Sequence, residues 1–442
     1  MDKRKSRFWE RAALIGAVFV IAQMNSVVAF AQEQHHRDAA APMITAGAAN
    51  ALLDSLVAEA LRQNPAVLAA QDRAQAAGKV PIQVSTLPDP ELTLQEFTVG
   101  GPRPLEGYTT SDFYYTGFGF AQEIPGPGKL RLRASIAERE ADAQHHLAQA
   151  FARRVAAGVR RTFYEMFYLA KAVQLLGDTR TILAQVAEVT QERYRVGRAP
   201  QQDVTRAQLQ MTAVLGEIEL KYQQLEHHQA ELKSMLGRAI DSPDIAIGEV
   251  EPSPFALSET RAQEIAAATA PEVRSARAMD ERGDESLELA RRGYLPDFSL
   301  GYMLQVTGPR QRNYYMLTLG AKVPLYFWRK QTPAVEQAAL EKEAARNELR
   351  ARSLEVSSET HHQWIAVRTA ERLIAIYQQG LIPQARATRE SAMAAYGTGQ
   401  ADFQTLLTAV IEVLRINQEY YRTVMDREIA LAKLREIIGD QS

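Results

Sequence analysis

The chain of 442 residues contains no cysteine. It therefore has no disulfide bond, no thiolate nucleophile and no cysteine to carry the lipid of a lipoprotein, so its fold depends on packing alone. Long apolar runs are absent too, because no segment beyond residue 31 reaches the roughly 18 consecutive apolar residues of a transmembrane helix. If such a chain enters a membrane, it must do so as a closed β-barrel, because lipid cannot satisfy free backbone N–H and C=O groups.

Two more absences exclude whole classes of protein. The motifs G-x-S-x-G, H-E-x-x-H and G-x-x-x-x-G-K-[ST] do not occur, so we expect no enzyme, no catalytic residue and no cofactor. An excess of basic residues is also missing. The net charge is −2, and it becomes −5 without residues 1–31, which carry five basic and two acidic side chains. We therefore expect no nucleic-acid partner, since phosphate binding needs a basic surface.

The N-terminus has the composition of a secretory signal. Five basic residues precede the apolar run Ala12–Ala22, and Ala29-Phe30-Ala31 supplies an A-x-A cleavage site. This pattern predicts a signal peptide at residues 1–31, followed by a flexible leader at residues 32–48. A short membrane anchor is the alternative, but the apolar run is shorter than the roughly 20 residues that span a bilayer.

The rest of the chain repeats itself. Four segments recur in the same order, with offsets of 206, 208, 199 and 202 residues. The matching segments are Asn64–Gln71 with Ala270–Arg277, "LPDPELTL" (Leu87–Leu94) with "LPDFSLGY" (Leu295–Tyr302), "EIPGPGKL" with "KVPLYFWRK", and Arg193–Ala199 with Ala394–Ala401. Shared order and spacing indicate a tandem duplication. We place the first repeat at residues 49–250 and the second at residues 251–442.

Each repeat is predicted to contain a helix, two strands, a very long helix, a turn and a returning helix. Apolar and polar residues alternate in the strands, as in Phe298 to Val306, over about the 9–11 residues of a tilted membrane strand. A soluble hairpin with one buried face has the same pattern. The predicted strands are 87–99, 110–124, 296–307 and 312–324, and the predicted helices are 129–194, 200–237, 258–292, 333–395 and 402–438, besides a first helix after residue 49.

The long helices favour a membrane-associated conduit over a soluble hairpin. No proline occurs from Lys129 to Ala199, which allows a helix of about 105 Å at 1.5 Å per residue. Small and apolar residues recur there every three or four positions, as in a coiled coil. In the second repeat Pro383 must kink or break the corresponding helix. A structural coiled-coil protein would explain the helices but would leave the paired strands unexplained.

Proline occurs at both points where a strand is followed by a long helix, and glycine accompanies it at the first. Pro125 and Pro127 fix φ and remove two backbone donors where the sheet ends, and Gly126 and Gly128 permit a sharp turn. Pro324 occupies the equivalent position in the second repeat. Tyr326, Phe327 and Trp328 follow it and resemble an interfacial aromatic belt.

These segments resemble the TolC family of outer-membrane efflux channels over essentially the whole chain after the signal. The resemblance lies in "NPAVLAA", "LPDPELTL", "QEIPGPGK" and "RYRVGRA" followed by Asp203-Val204. The features "PGPGK", "LIPQA" and "YGTGQADFQTLL" are most similar to the outer-membrane components of cobalt–zinc–cadmium and copper–silver resistance pumps.

The resemblance implies a mainly α-helical homotrimer in the outer membrane. Each protomer would contribute four strands to a 12-stranded β-barrel, continued by a long α-helical barrel in the periplasm. The function implied is passive export, coupled through a periplasmic adaptor to an inner-membrane pump of the resistance-nodulation-division (RND) type. Heavy-metal cations or drugs would be the cargo, with multidrug efflux or type I protein secretion as alternatives.

The resemblance also implies candidate site residues. The adaptor would dock at the turns Val196, Gly197, Arg198 and Thr398, Gly399, Gln400. Asp203 matches an acidic position of the family. Thr405 and Thr408 stand where some members carry gate aspartates, and Asp402 lies nearby as a substitute. The alternative role for both aspartates is to cap a helix or to place charge in its first turn.

All eight histidines form adjacent pairs, at 35–36, 145–146, 227–228 and 361–362. Adjacent side chains on a helix point about 100° apart, whereas chelation on a helix needs ligands four residues apart. We therefore predict no metal site and interpret the histidines as solvated surface. Weak metal binding by His35-His36 in the leader is left open.

Overall fold

The computed structural model describes residues 46–98, 114–307 and 312–439. The predicted signal peptide, His35-His36 and the predicted leader up to residue 45 lie outside the described residues, and residues 46–48 begin the first helix. Two compact units can be distinguished. One comprises the chain up to Leu52 together with Pro243–Glu251, of which the described part is the start of the first helix and a segment without helix or strand. The other comprises Leu53–Ser242 and Pro252–Ser442.

Ten α-helices and four strands lie within the described ranges. The helices are α1 (Ala46–Gln63), α2 (Pro65–Ala77), α3 (Val80–Ser85), α4 (Lys129–Arg195), α5 (Gln201–Met235), α6 (Glu259–Thr269), α7 (Pro271–Arg292), α8 (Gln331–Ile376), α9 (Ile382–Thr398) and α10 (Phe403–Ile438). The strands are β1 (Glu91–Thr98), β2 (Tyr114–Ile124), β3 (Asp297–Thr307) and β4 (Tyr314–Lys322). Among the helices described, none is both long enough and apolar enough to cross a membrane.

The four strands form one antiparallel sheet in the order β1-β2-β3-β4. The central pair, β2 and β3, joins the two predicted repeats, with Tyr115 opposite Thr307 and Ile124 opposite Phe298. β1 begins at Glu91, four residues later than predicted, because Pro88 and Pro90 have no N–H to donate to a ladder.

Apolar side chains of the sheet remain exposed. Leu92 is 83% exposed and Leu319 is 77% exposed. The same holds for other apolar residues of all four strands, among them Leu94, Phe118, Phe120, Leu304, Val306 and Leu317. A soluble hairpin would bury one apolar face, whereas an uncovered apolar surface marks a membrane or protein contact.

The helix α4 is the longest in the described chain. Its 67 residues span about 100 Å at 1.5 Å per residue. Phe163, Met166 and Leu176 are fully buried along it. It packs against α5, α7 and α10, and thus against elements of both predicted repeats.

The helix predicted at residues 258–292 is in fact two helices, α6 and α7. Ala270, just before Pro271, has φ −61° and ψ 121°, an extended conformation. The ring of a proline disfavours the helical region for the residue before it, which explains the break. The same break separates α1 from α2 at Asn64, whose side chain accepts hydrogen bonds from the N–H groups of Ala66 and Val67.

Pro383 does not end its helix. A π-helical segment, Tyr377–Leu381, lies between α8 and α9. A proline cannot donate to the carbonyl four residues earlier, and a wider turn accommodates its ring. The predicted kink or break is therefore an interruption of the α-helical hydrogen bonding within a continuous helical segment.

Candidate functional site: helical turns and strand-to-helix corners

The turn between α4 and α5 is a Schellman-type helix ending. Gly197 has φ 72°, the left-handed conformation that glycine adopts at least cost. Its N–H donates to the carbonyl of Tyr194 at 2.9 Å, and the N–H of Arg198 donates to the carbonyl of Arg193 at 2.7 Å. Val196, before the glycine, is 67% exposed. The turn thus presents an apolar side chain to solvent on a well-defined backbone.

The turn between α9 and α10 repeats this geometry. Gly399 has φ 86° and its N–H donates to the carbonyl of Tyr396 at 3.1 Å. The N–H of Gln400 donates to the carbonyl of Ala395 at 2.8 Å. Thr398 is the last residue of α9. Both glycines therefore end their helices in the left-handed conformation.

The two candidate gate aspartates differ in their local roles. Asp402 caps α10, because its Oδ1 accepts a hydrogen bond from the N–H of Thr405 at 2.8 Å. Hydrogen bonding to Thr405 lowers the pKa of Asp402. Asp203 lies in the first turn of α5 and does not cap it. Burial raises the pKa of Asp203, while the positive charge of Arg206 lowers it and the negative charge of Asp402 raises it.

Thr405 and Thr408 contribute no charge to this region. The hydroxyl of Thr408 donates to the carbonyl of Gln404 at 2.8 Å. Both threonines line a groove of about 520 Å³ between α9 and α10, together with Leu381, Ala385, Ala392 and Ile416. The acidic side chain that lines the same groove is Glu412, whereas Asp203 and Asp402 lie at the starts of α5 and α10.

The sequence did not predict the contact between Arg193 and Tyr396, which connects the ends of α4 and α9. The guanidinium of Arg193 lies 4.5 Å from the ring centre of Tyr396 and donates a hydrogen bond to the carbonyl oxygen of the same residue. The hydroxyl of Tyr396 donates to Thr190 at 3.0 Å. No pattern could have revealed it, because the repeat alignment pairs Tyr396 with Tyr194 and places Ala395 at the position of Arg193.

One apolar core holds both helix pairs at this end. It is formed by Leu176, Leu183 and Val186 of α4, Ala207 and Val214 of α5, Ala392 and Tyr396 of α9, and Phe403, Leu406, Ala409, Val410 and Leu414 of α10. Since all four helices share it, the position of each turn depends on the packing of both pairs.

The first strand-to-helix corner connects residues of the two predicted repeats. The N–H of Gly126 donates to the Oδ1 of Asp297 at 2.7 Å, and the Nζ of Lys129 donates to the same oxygen at 2.7 Å. A Cβ on Gly126 would lie only 2.7 Å from the carbonyl oxygen of Pro296, so no larger residue fits. Gly128, with φ 80°, then begins α4 in the left-handed conformation.

The sheet ends at the prolines of this corner, as predicted, because proline has no N–H to donate to the next strand. Pro125 directly follows the last residue of β2, and the carbonyl of Pro127 accepts a hydrogen bond from Arg292 at 3.4 Å. The buried Lys129 also donates to the carbonyl of Leu295 at 2.9 Å.

The second corner is built differently. After Pro324 the chain makes a turn in which Tyr326, Phe327 and Trp328 are exposed. The rings of Phe327 and Trp328 meet edge to face at 5.1 Å. The following residues, Arg329 and Lys330, are exposed, and their side chains form no hydrogen bond or ion pair with any residue in the described ranges.

The interpretation of the histidines as solvated surface is wrong for His228. Its Nδ1 lies 3.1 Å from a carboxylate oxygen of Glu231 and 3.5 Å from one of Glu165. The three side chains are near enough to one another to hold a metal ion. However, Arg161 lies 3.1 Å from Glu231 and 3.9 Å from Glu165, so positive charge is already present. Spacing along one helix could not reveal this cluster, because Glu165 is on α4 and His228 on α5.

An antiparallel sheet with an uncovered apolar surface, joined through two sharp corners to pairs of very long helices, defines the class of outer-membrane efflux channels. The comparison with known families agrees. Residues 56–238 and 263–440 match the family described as outer membrane efflux protein, and the chain belongs to that family. It is therefore an outer-membrane protein of efflux transport.

Individual relatives support this assignment. The chain is 23% identical over 351 residues to the outer membrane protein TolC of Vibrio cholerae serotype O1, covering 75% of this chain and 78% of that protein. Its fold is similar to that of CusC, with a TM-score of 0.77, 14% identity, and 88% and 92% of the two chains covered. For VceC of Vibrio cholerae the TM-score is 0.76, with 16% identity and coverage of 88% and 96%. For OprN the TM-score is 0.74, with 15% identity and coverage of 88% of this chain and 89% of that chain.

Proposed function

We propose that three copies of this chain form the outer-membrane channel of a tripartite efflux system. The observation that carries the proposal is the four-stranded sheet, whose apolar side chains are exposed and whose edge strands β1 and β4 each pair on one side only within the described residues. Four strands are fewer than the eight of the smallest membrane barrels. Three copies supply twelve, and closure removes the open edges that lipid cannot satisfy.

In this proposal the long helices form a tunnel through the periplasm and passively conduct what an inner-membrane RND pump delivers. The pump would be coupled through a periplasmic adaptor. A tandem duplication gives six similar helix pairs in the trimer. The duplication is supported by the two separate segments that match the family and by the shared conformation of Gly197 and Gly399.

The adaptor would dock at the two helical turns. Both have the same backbone geometry, and both present exposed side chains, including Val196, Arg198, Thr398 and Gln400. The carboxylates of Asp203 and Asp402, at the starts of the two returning helices, would form the acidic ring of a gate, because three copies would bring six such groups around one axis. Their repulsion would favour opening, whereas the Arg193–Tyr396 contact would favour the closed state.

For the cargo we propose heavy-metal cations, on the basis of the segments "PGPGK", "LIPQA" and "YGTGQADFQTLL". The fold by itself does not identify the cargo. In a passive tunnel the pump selects the cargo, so the test must measure export in cells.

The test is deletion and complementation of the gene. We expect deletion to sensitise cells to divalent or monovalent heavy-metal ions and a plasmid copy to restore resistance, with drug sensitivity as the comparison. The purified protein should have the mass of a trimer in mild detergent and should conduct poorly in planar bilayers, because its helical ends are closed at rest. A monomeric mass would contradict the proposed trimeric channel. Sensitisation of the deletion strain to drugs alone would contradict the proposed heavy-metal cargo.

A further inference from the structure

The two strand-to-helix corners differ in one respect that the duplication does not explain. At the corner between β2 and α4, the carboxylate of Asp297 binds both the N–H of Gly126 and the buried Lys129. The donors belong to the first repeat and the acceptor to the second. The corner between β4 and α8 should have an equivalent acceptor if the repeats are built alike.

The equivalent residue is Asp89, because "LPDPELTL" aligns with "LPDFSLGY" and places Asp89 at the position of Asp297. Asp89 is exposed, and within the described part of the chain its carboxylate has no hydrogen bond or ion pair. The cations at the second corner, Arg329 and Lys330, are likewise unpaired among those residues.

These groups do not meet within the described part of the chain. Asp89 precedes β1, whereas Arg329 and Lys330 follow β4, and β2 and β3 lie between the two edge strands. At about 4.8 Å between neighbouring strands, the two edges are separated by roughly 14 Å. A carboxylate at one edge and two cations at the opposite edge are complementary surfaces for a second copy of the chain.

We propose that the second corner is completed by a neighbouring protomer, whose Asp89 binds Arg329 or Lys330 as Asp297 binds Lys129. The inference rests on the proposed trimer and adds the residues that join its subunits. The backbone donor of the first corner has no equivalent, because the N–H of Leu325, aligned with Gly126, donates to the carbonyl of Val323. The intersubunit contact is therefore an ion pair.

The same alignment predicts the register between subunits. Within the chain, Glu123 of β2 lies opposite Ser299 of β3. Applying the repeat offsets of 199 and 208 residues places Lys322 of β4 opposite Glu91 of the next protomer's β1. Both side chains are exposed and without an ion pair within the described residues. Opposite charges in directly facing positions support this register, and a shift of one residue would reverse every side chain to the other face.

The register can be tested by cross-linking, because the chain has no cysteine of its own. We expect the variant Glu91→Cys/Lys322→Cys to form covalent trimers in membranes upon treatment with a short bis-maleimide. The control pair Glu91→Cys/Ala321→Cys, shifted by one residue, should not. If the protein has a trimeric mass but cross-links only through the control pair, or through neither pair, the proposed register is wrong, whereas the proposed trimeric channel is not contradicted. A monomeric mass without cross-links would refute the trimer itself.

The ion pair is tested by charge exchange. We expect Asp89→Lys to lower the temperature at which the trimer dissociates in detergent, with Asp89→Asn giving a smaller decrease. Combining Asp89→Lys with Arg329→Glu/Lys330→Glu should restore it, which a merely misfolded variant would not do. An unchanged dissociation temperature in Asp89→Lys, or no recovery in the combined variant, would overturn the ion pair and favour lipid phosphate as the partner of the two cations.

Discussion

The guanidinium of Arg193 lies against the ring of Tyr396, at 4.5 Å from its centre, although 203 residues separate them in the chain. The last turn of α4 is thereby attached to the last turn of α9. Tyr396 is almost completely buried and its ring also meets Phe403 edge to face at 6.1 Å. This contact therefore joins the ends of both helix pairs next to the two aspartates of the proposed gate.

Replacing Arg193 should loosen the helical ends. Arg193→Ala removes a cation–π contact and a hydrogen bond, which together should lower the free energy of unfolding by about 1–2 kcal/mol. We expect the variant to conduct more than the wild type in planar bilayers, because the closed ends separate more easily. Arg195→Ala is the control, since Arg195 is exposed and contacts Glu192 of its own helix. Equal conductance of the two variants would show that the contact does not hold the closed state.

A branched residue at either left-handed glycine should strain the helical turn. Gly197→Val and Gly399→Val each strain the turn by roughly 1–2 kcal/mol. We expect normal amounts of trimer in the outer membrane but reduced pump-dependent resistance, because the turns are the proposed adaptor contact. Gly177→Ala is a suitable control, because Gly177 lies within α4 and nothing occupies the space of its missing Cβ.

Two other outcomes of this experiment would be informative. Unchanged resistance in the double variant, with normal assembly, would contradict docking at the turns. A loss of trimer would show that the turns are structural, and the adaptor contact would then have to lie along the helices.

The two aspartates should affect stability with opposite dependence on pH. Burial raises the pKa of Asp203, so this group favours the folded state below its unfolded pKa and this advantage is lost as the pH rises through the folded pKa. Asp203→Asn should therefore raise the melting temperature at neutral pH, with a difference that disappears as the pH falls towards 4.

Asp402 provides the matched comparison. Its pKa is lowered by hydrogen bonding to Thr405, so its stabilising effect is present above the unfolded pKa and is lost as the pH falls through the folded pKa. Asp402→Ala should lower the melting temperature at neutral pH. Thermal unfolding of both variants between pH 3 and 8 tests this, and changes of the same sign would contradict the assigned roles.

The cluster of Glu165, His228 and Glu231 should not bind zinc in the wild-type protein, because Arg161 already compensates the two carboxylates. Burial raises the pKa of Glu165, which further weakens it as a ligand at low pH. We expect calorimetric titration with Zn²⁺ to show no saturable site, and Arg161→Ala to create one that His228→Ala then abolishes. Stoichiometric binding by the wild type that depends on His228 would refute the prediction of no metal site.

Features that depend on neighbouring residues could be predicted from the sequence. The left-handed conformations of Gly197 and Gly399 follow from the need to reverse a helix, and the end of the sheet at Pro125 follows from the missing N–H. Two proline effects differ in detail from the prediction. The break before Pro271 follows from a local rule, because a proline disfavours the helical conformation of the residue before it. The irregularity predicted at Pro383 takes the form of a π-helical segment, Tyr377–Leu381, which the sequence pattern does not specify.

The sequence by itself determined the repeated order of elements, the long helix without proline, the sharp corners and the membership of a channel family, because each rests on rules that act within a few residues or on a pattern repeated along the chain. Only the tertiary structure decided which distant groups meet. It paired Asp297 with Lys129, Arg193 with Tyr396 and His228 with Glu165. Such pairs depend on which helices and strands pack together and in what register, and this is set by the burial of apolar surface over the whole fold.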